Sequence, residues 1–144
     1  MRIVLAAPDG QVWCGGMAFS IVRPEQLQWT PRPHQAGEPA RHVAELQPLV
    51  GFQHTRANVW RYEPGAHGKR HVHGEHEETF VVLTGCLTMF LGEPPERHHV
   101  PVGGIVHVEA GTALQTVNDG EEDLVLYAYG SPPDEGAEVL TSAV

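Results

Sequence analysis

Between Gly65 and Gly85 the chain runs through Arg70-His71-Val72-His73-Gly74-Glu75-His76-Glu77-Glu78 and directly into the apolar run Thr79-Phe80-Val81-Val82-Leu83. In an extended strand alternate side chains share a face, so His71 and His73 project together, about 7 Å apart along the strand. A carboxylate a few residues later, on a neighbouring strand, completes two imidazoles and one carboxylate on one side of an ion. That donor set suits non-haem iron, and also zinc, manganese or nickel. The candidate metal ligands are His71, His73 and Glu78, with Glu77 a rival for the third place. A His pair at alternate positions is also a frequent solvated-surface pattern. The flanking glycines and the apolar strand that follows favour the metal reading.

The rest of the composition points to β structure. Sixteen glycines and twelve prolines in 144 residues lie between short apolar runs, which is the pattern of an all-β sandwich or barrel with frequent turns. With 41% hydrophobic residues, the length supports one domain with a substantial core. The formal net charge is −9 and Lys69 is the single lysine, so no basic stripe exists to neutralise phosphates and nucleic acid is a poor partner. No apolar run approaches the roughly eighteen residues of a membrane span. The apolar start is too short for a secretory signal, so the expected location is the cytoplasm. Cys14 and Cys86 are too few for a disulfide framework, and Cys86 is expected as a small core residue. His34, His42, His54, His98 and His99 sit in polar or Pro/Gly-rich surroundings and are expected on exposed loops.

Along the chain, residues 1–50 read as an N-terminal arm, 51–131 as the barrel and 132–144 as a C-terminal tail. In the arm, Ile3 to Ala6 and Ala18 to Val22 are expected as short strands, Pro8-Asp9-Gly10 as a turn, and residues 30–41 as an extended loop. Such an arm has a natural place at an exposed sheet edge. Met17 is an alternative start to Met1. Expected strands cover Arg56 to Tyr62, Phe80 to Leu83, Cys86 to Leu91, Ile105 to Glu109, Leu114 to Val117 and Leu124 to Tyr129. Thr84-Gly85 is the hairpin, Gly92 to Glu96 a loop and Asn118-Asp119-Gly120 a turn. Many short antiparallel strands at this spacing match a jelly roll.

The spacing of Gly65, five residues, His71, one residue, His73, four residues, Glu78, six residues and Gly85 resembles the first motif of the cupin superfamily. Only Glu78, not Glu77, also gives the six-residue step to Gly85. The resemblance implies a small jelly-roll barrel with a metal at its centre, a small-molecule ligand and a homodimer. The family's second motif falls on Gly103, Glu109, Gly111, Leu114 and Asn118. Both glycines and the asparagine fit. Glu109 stands where the family has proline, and Leu114 where it has the histidine that is the fourth protein ligand. Gln115 is adjacent but by alternation points to the other face, unless a bulge re-aims it.

Expected pocket walls are Trp60 or Tyr62, Phe80, Met89, Leu114, and Tyr127 or Tyr129. His67 and His76 are either acid/base groups of the pocket or solvated loop residues, the latter favoured, and His107 is expected to point outward. Two functions follow from the resemblance. One is a metal-dependent enzyme of dioxygenase, isomerase or lyase type, with Glu77 or His76 moving protons. The other is a non-catalytic small-ligand barrel that holds metal weakly or not at all, because Leu114 cannot coordinate.

Overall fold

The computed structural model describes residues 4–6, 12–14, 18–32, 35–133 and 136–140, the first two stretches as backbone only. The turn at Pro8-Asp9-Gly10, Met17 and His34 lie outside the described residues. Strands β1 (Val4–Ala6) and β2 (Val12–Cys14) pair with each other in a two-stranded sheet. The strand expected at Ala18 to Val22 does not form. That segment instead leads into a single 3-10 turn, Pro24–Gln26, and places Val22 and Leu27 against an apolar cluster.

The following elements are β3 (Trp29–Pro31), β4 (Arg41–Glu45), the one-turn helix α1 (Gln47–Val50), β5 (Arg56–Tyr62), β6 (His71–Val72) and β7 (Glu77–Thr84). After them come β8 (Cys86–Leu91), β9 (Glu96–Pro101), β10 (Ile105–Val108), β11 (Leu114–Val117), β12 (Leu124–Ser131) and β13 (Glu138–Val139). They form a six-stranded sheet in the order β10-β7-β12-β5-β4-β3 and a five-stranded sheet in the order β13-β6-β11-β8-β9. The pairings are antiparallel, as a jelly roll requires.

The main core lies between these two sheets. Phe80, Val82, Leu124, Leu126 and Ala128 from one meet Leu87, Met89 and Leu114 from the other. Alternation along β12 explains this, since Leu124, Leu126 and Ala128 are buried while Val125 and Tyr127 face the opposite way. Those outward residues join Ala44, Leu46, Ala57 and Val59 in a second cluster, which Val22, Leu27 and Trp29 of the arm cover. Each large aliphatic side chain buried in this way stabilises the fold by about 1.5–3 kcal/mol.

Several loop expectations give way to strands. Residues 30–41 shrink to a connection between β3 and β4, which extend the large sheet beyond β5. His42 thus sits half-buried in β4, 3.3 Å from Glu63, and not on an exposed loop. His98 and His99 are exposed, but on β9, the edge strand paired with β8. Polar side chains on both faces of an edge strand leave no alternation to read. Cys86 is half-buried at the start of β8 and not part of the core. Part of the C-terminal tail forms β13, hydrogen-bonded to β6.

The hairpin expected at Thr84-Gly85 is instead a crossing between sheets, since β7 pairs with β10 and β12 while β8 pairs with β11 and β9. Gly85 makes that sharp turn possible. Its φ is +79°, and a Cβ there would lie 2.6 Å from the Asp123 carbonyl oxygen. The turn needs both the left-handed backbone and the missing side chain.

Candidate metal centre

His71 lies on β6 of the small sheet and Glu78 on β7 of the large one, so the site forms where the chain crosses between sheets. One ligand atom from each of His71, His73 and Glu78 falls within 4.8 Å of the others. The two imidazoles stand edge to face with centroids 4.9 Å apart, and His73 Nε2 is 3.4 Å from Glu78 Oε2. Strand β6 ends at Val72, so the approach of the two rings owes less to ideal strand geometry than the spacing suggests.

The supporting contacts favour ligation. His71 Nδ1 is 2.8 Å from the Lys69 carbonyl, which only accepts, so this nitrogen carries the proton and Nε2 keeps its lone pair. Burial lowers the His71 pKa, against the hydrogen bond to Lys69, which raises it. The neighbouring His73 and Arg41 charges lower it further, while Glu78 raises it. The net direction keeps the ring neutral, the form that binds a metal. The Gly111 N–H donates to the His73 carbonyl over 2.7 Å, tying the second-motif glycine to a candidate ligand of the first motif.

Alternation along β7 separates the two candidate carboxylates. Glu78 is half-buried and faces the site, whereas Glu77 is exposed on the other side, 3.8 Å from His107. His107 points outward as expected and also contacts the Thr79 hydroxyl. Glu77 is therefore not placed to move protons at the site.

Leu114 pairs directly with His71 across β11 and β6, and is 1% exposed. It sits on the cavity wall beside the three candidate ligands, an apolar group where a fourth ligand would approach. Gln115 faces away and donates to the Gly68 carbonyl over 3.0 Å, so it does not join the site.

His76 departs from the solvated-loop expectation. It is 7% exposed, its Nδ1 donates to the Pro132 carbonyl over 2.6 Å, and its ring lies 4.8 Å from that of His73. Gly130 makes room for it, since a Cβ there would come within 2.1 Å of the His76 ring. His76 thus buttresses His73. His67 is exposed on the loop side, within reach of the Gly68 carbonyl.

The cavity at the site has a volume of about 300 Å³. Trp60, Tyr62, Phe80 and Leu114 line it as expected, together with Leu126, Thr116, Val139 and Arg41. Met89 is instead sealed in the core, and Tyr127 and Tyr129 lie on the outer face of the large sheet. Arg41 and Val139 carried no sequence signal, because β4 and β13 reach the site only through pairing with β5 and β6.

A two-sheet antiparallel roll with histidines and a carboxylate at its mouth is the architecture of a double-stranded β-helix protein with a candidate metal site. The chain belongs to the cupin family: the cupin domain model matches residues 58–129, half of its length. No curated protein matches the sequence. Among solved structures, it is similar to a conserved double-stranded β-helix protein from Klebsiella pneumoniae, at 25% identity and TM-score 0.61 over 77% of this chain and 90% of that one. It is also similar to a cupin-superfamily sugar phosphate isomerase from Silicibacter pomeroyi, at 26% identity and TM-score 0.59. That match covers 65% of this chain and 60% of that one. The polyketide cyclase RemF from Streptomyces resistomycificus shares the fold, at 14% identity and TM-score 0.70 over 88% of both chains.

Proposed function

We propose that the protein is a metal-dependent enzyme acting on a small organic molecule, of isomerase, lyase or dioxygenase type. The observation that carries the reading is the convergence of His71, His73 and Glu78 on the wall of a cavity large enough for a small substrate. Two imidazoles and a carboxylate fit iron, manganese, nickel or zinc. A divalent ion there would supply Lewis-acid chemistry at a substrate oxygen. The chain's own part is to hold and orient. His76 fixes the His73 ring, Trp60, Phe80 and Leu126 exclude water, and the Tyr62 and Thr116 hydroxyls, 2.7 Å apart, hold a proton beside the substrate.

Leu114 favours a second reading, a non-catalytic barrel that binds a small ligand with little or no metal. Elemental analysis by inductively coupled plasma mass spectrometry, on protein purified without a metal-affinity tag, separates the two. About one equivalent of metal, lost in folded His71→Ala and His73→Ala variants, is the expected result. No metal after loading and dialysis, or unchanged content in both variants, overturns the proposal. A homodimer belongs to the same reading, supported by the edge strand β10 with Ile105 66% and nearby Val102 60% exposed. A monomer mass in solution at high concentration refutes it.

A further inference from the structure

Arg41 is the cation that the site described above leaves without a role. Strand β4 places it opposite Tyr62, with its guanidinium 5.7 Å from the Tyr62 ring centre and 5.3 Å from that of Trp60. Stacking engages the flat face of a guanidinium and leaves its N–H edge available. Among the described residues no carboxylate pairs with it, although Arg32, on the same Trp60 ring, is paired with Glu45 at 3.2 Å. A half-buried guanidinium with no counter-ion, in a chain of net charge −9, is held where an anion belongs.

Its surroundings define the place. Arg41 and Lys69, the single lysine, line both the 300 Å³ metal-site cavity and a second cavity of about 570 Å³ beside it. The second cavity is also bordered by Glu38, His67 and Gly65, so its positive side is the one shared with the metal site. Arg41 Nη1, the Tyr62 hydroxyl and Thr116 Oγ1 converge over Gly68, within 2.9–3.6 Å of where a Cβ would stand. Only one of the two hydroxyl protons lies in the bond between them, which leaves the other O–H free to donate to a ligand.

We propose that Arg41, with Lys69, forms an anion-binding subsite at the mouth of the metal-site cavity, and that the substrate is a small acid, a phosphate ester or a carboxylate. An oxygen at its other end reaches toward His71, His73 and Glu78. The substrate class rests on the functional reading above, but the subsite does not require a bound metal. Bidentate recognition by the guanidinium edge is the chemistry that would select such a ligand.

The test is isothermal titration of the metal-free protein with inorganic phosphate, methyl phosphate and acetate, on wild type, Arg41→Gln, Arg41→Lys, Lys69→Gln and His98→Gln. The expected result is phosphate or carboxylate binding that weakens about tenfold or more in Arg41→Gln. Arg41→Lys recovers part of it, Lys69→Gln loses less, and His98→Gln, on the exposed edge strand β9, binds as wild type. Tighter binding of the phosphates or of acetate names the class. No binding to wild type, or binding unchanged in Arg41→Gln, overturns the subsite. Because metal is absent throughout, a failure here is separate from a failure of the metal reading. Near-ultraviolet circular dichroism of each variant confirms an intact fold, and Arg41→Lys carries the test if Arg41→Gln does not fold.

Discussion

Asn118 is 1% exposed and joins three parts of the backbone. Its amide nitrogen donates to the carbonyls of Tyr62 at 2.9 Å and Glu122 at 2.8 Å, and its oxygen accepts from the Gly120 N–H at 3.1 Å. Asn118→Ala removes all three bonds at a site with almost no access to water. At about 1 kcal/mol for each bond, the expected destabilisation is about 3 kcal/mol. With a urea slope of about 2 kcal/mol/M, the denaturation midpoint falls by about 1.5 M. Asn118→Asp sharpens the test, because an ionised carboxylate offers no donor to two carbonyl oxygens. The fold then raises that group's pKa, so the penalty is complete above the folded value and fades as pH drops below the ordinary aspartate range. Urea titrations at neutral pH and near pH 4 should show Asn118→Asp less stable than Asn118→Ala at the first and approaching it at the second. A midpoint shift below about 0.3 M for the alanine variant, with an unchanged slope, would refute the three-bond account.

Two further outcomes follow from the same contacts. Leu114→His introduces an imidazole opposite His71 and should tighten metal binding by at least about tenfold in chelator competition, at some cost in stability; unchanged affinity would mean that position 114 does not face the ion. Asp119 accepts from the Thr88 hydroxyl at 2.7 Å and pairs with Arg97, contacts that hold its carboxyl below the usual range. The stability they contribute is present above about pH 4 and is lost as pH falls through the lowered value, so the melting-temperature gap between wild type and Asp119→Asn should close in acid. A gap independent of pH contradicts that assignment.

What was legible beforehand was local in origin. The β8 boundaries, Cys86–Leu91, and the Leu114 to Val117 strand agree with the pattern because apolar alternation and glycine turns act over a few residues. The first-motif spacing led to His71, His73 and Glu78, which the fold does bring together. The arm was harder to read. Ala18 to Val22 has strand-forming residues but no ladder partner, whereas Arg41–Glu45 lies next to a proline-rich loop and nonetheless pairs with five residues of β5. His76 was missed for a related reason. Its burial depends on Pro132, 56 residues away, and on the space left by Gly130.

By itself, then, the order of residues determined the β class, the glycine turns and the pairing of His71 and His73 as candidate ligands with a carboxylate close by, since each depends on spacing within one short segment. Tertiary structure decided that Glu78 and not Glu77 faces the two histidines, that Leu114 stands across from His71, and that Arg41 and Val139 share the cavity. These follow from strand register between segments distant in sequence. Register is set by which faces bury against which, a property of the assembled sheets rather than of any one strand.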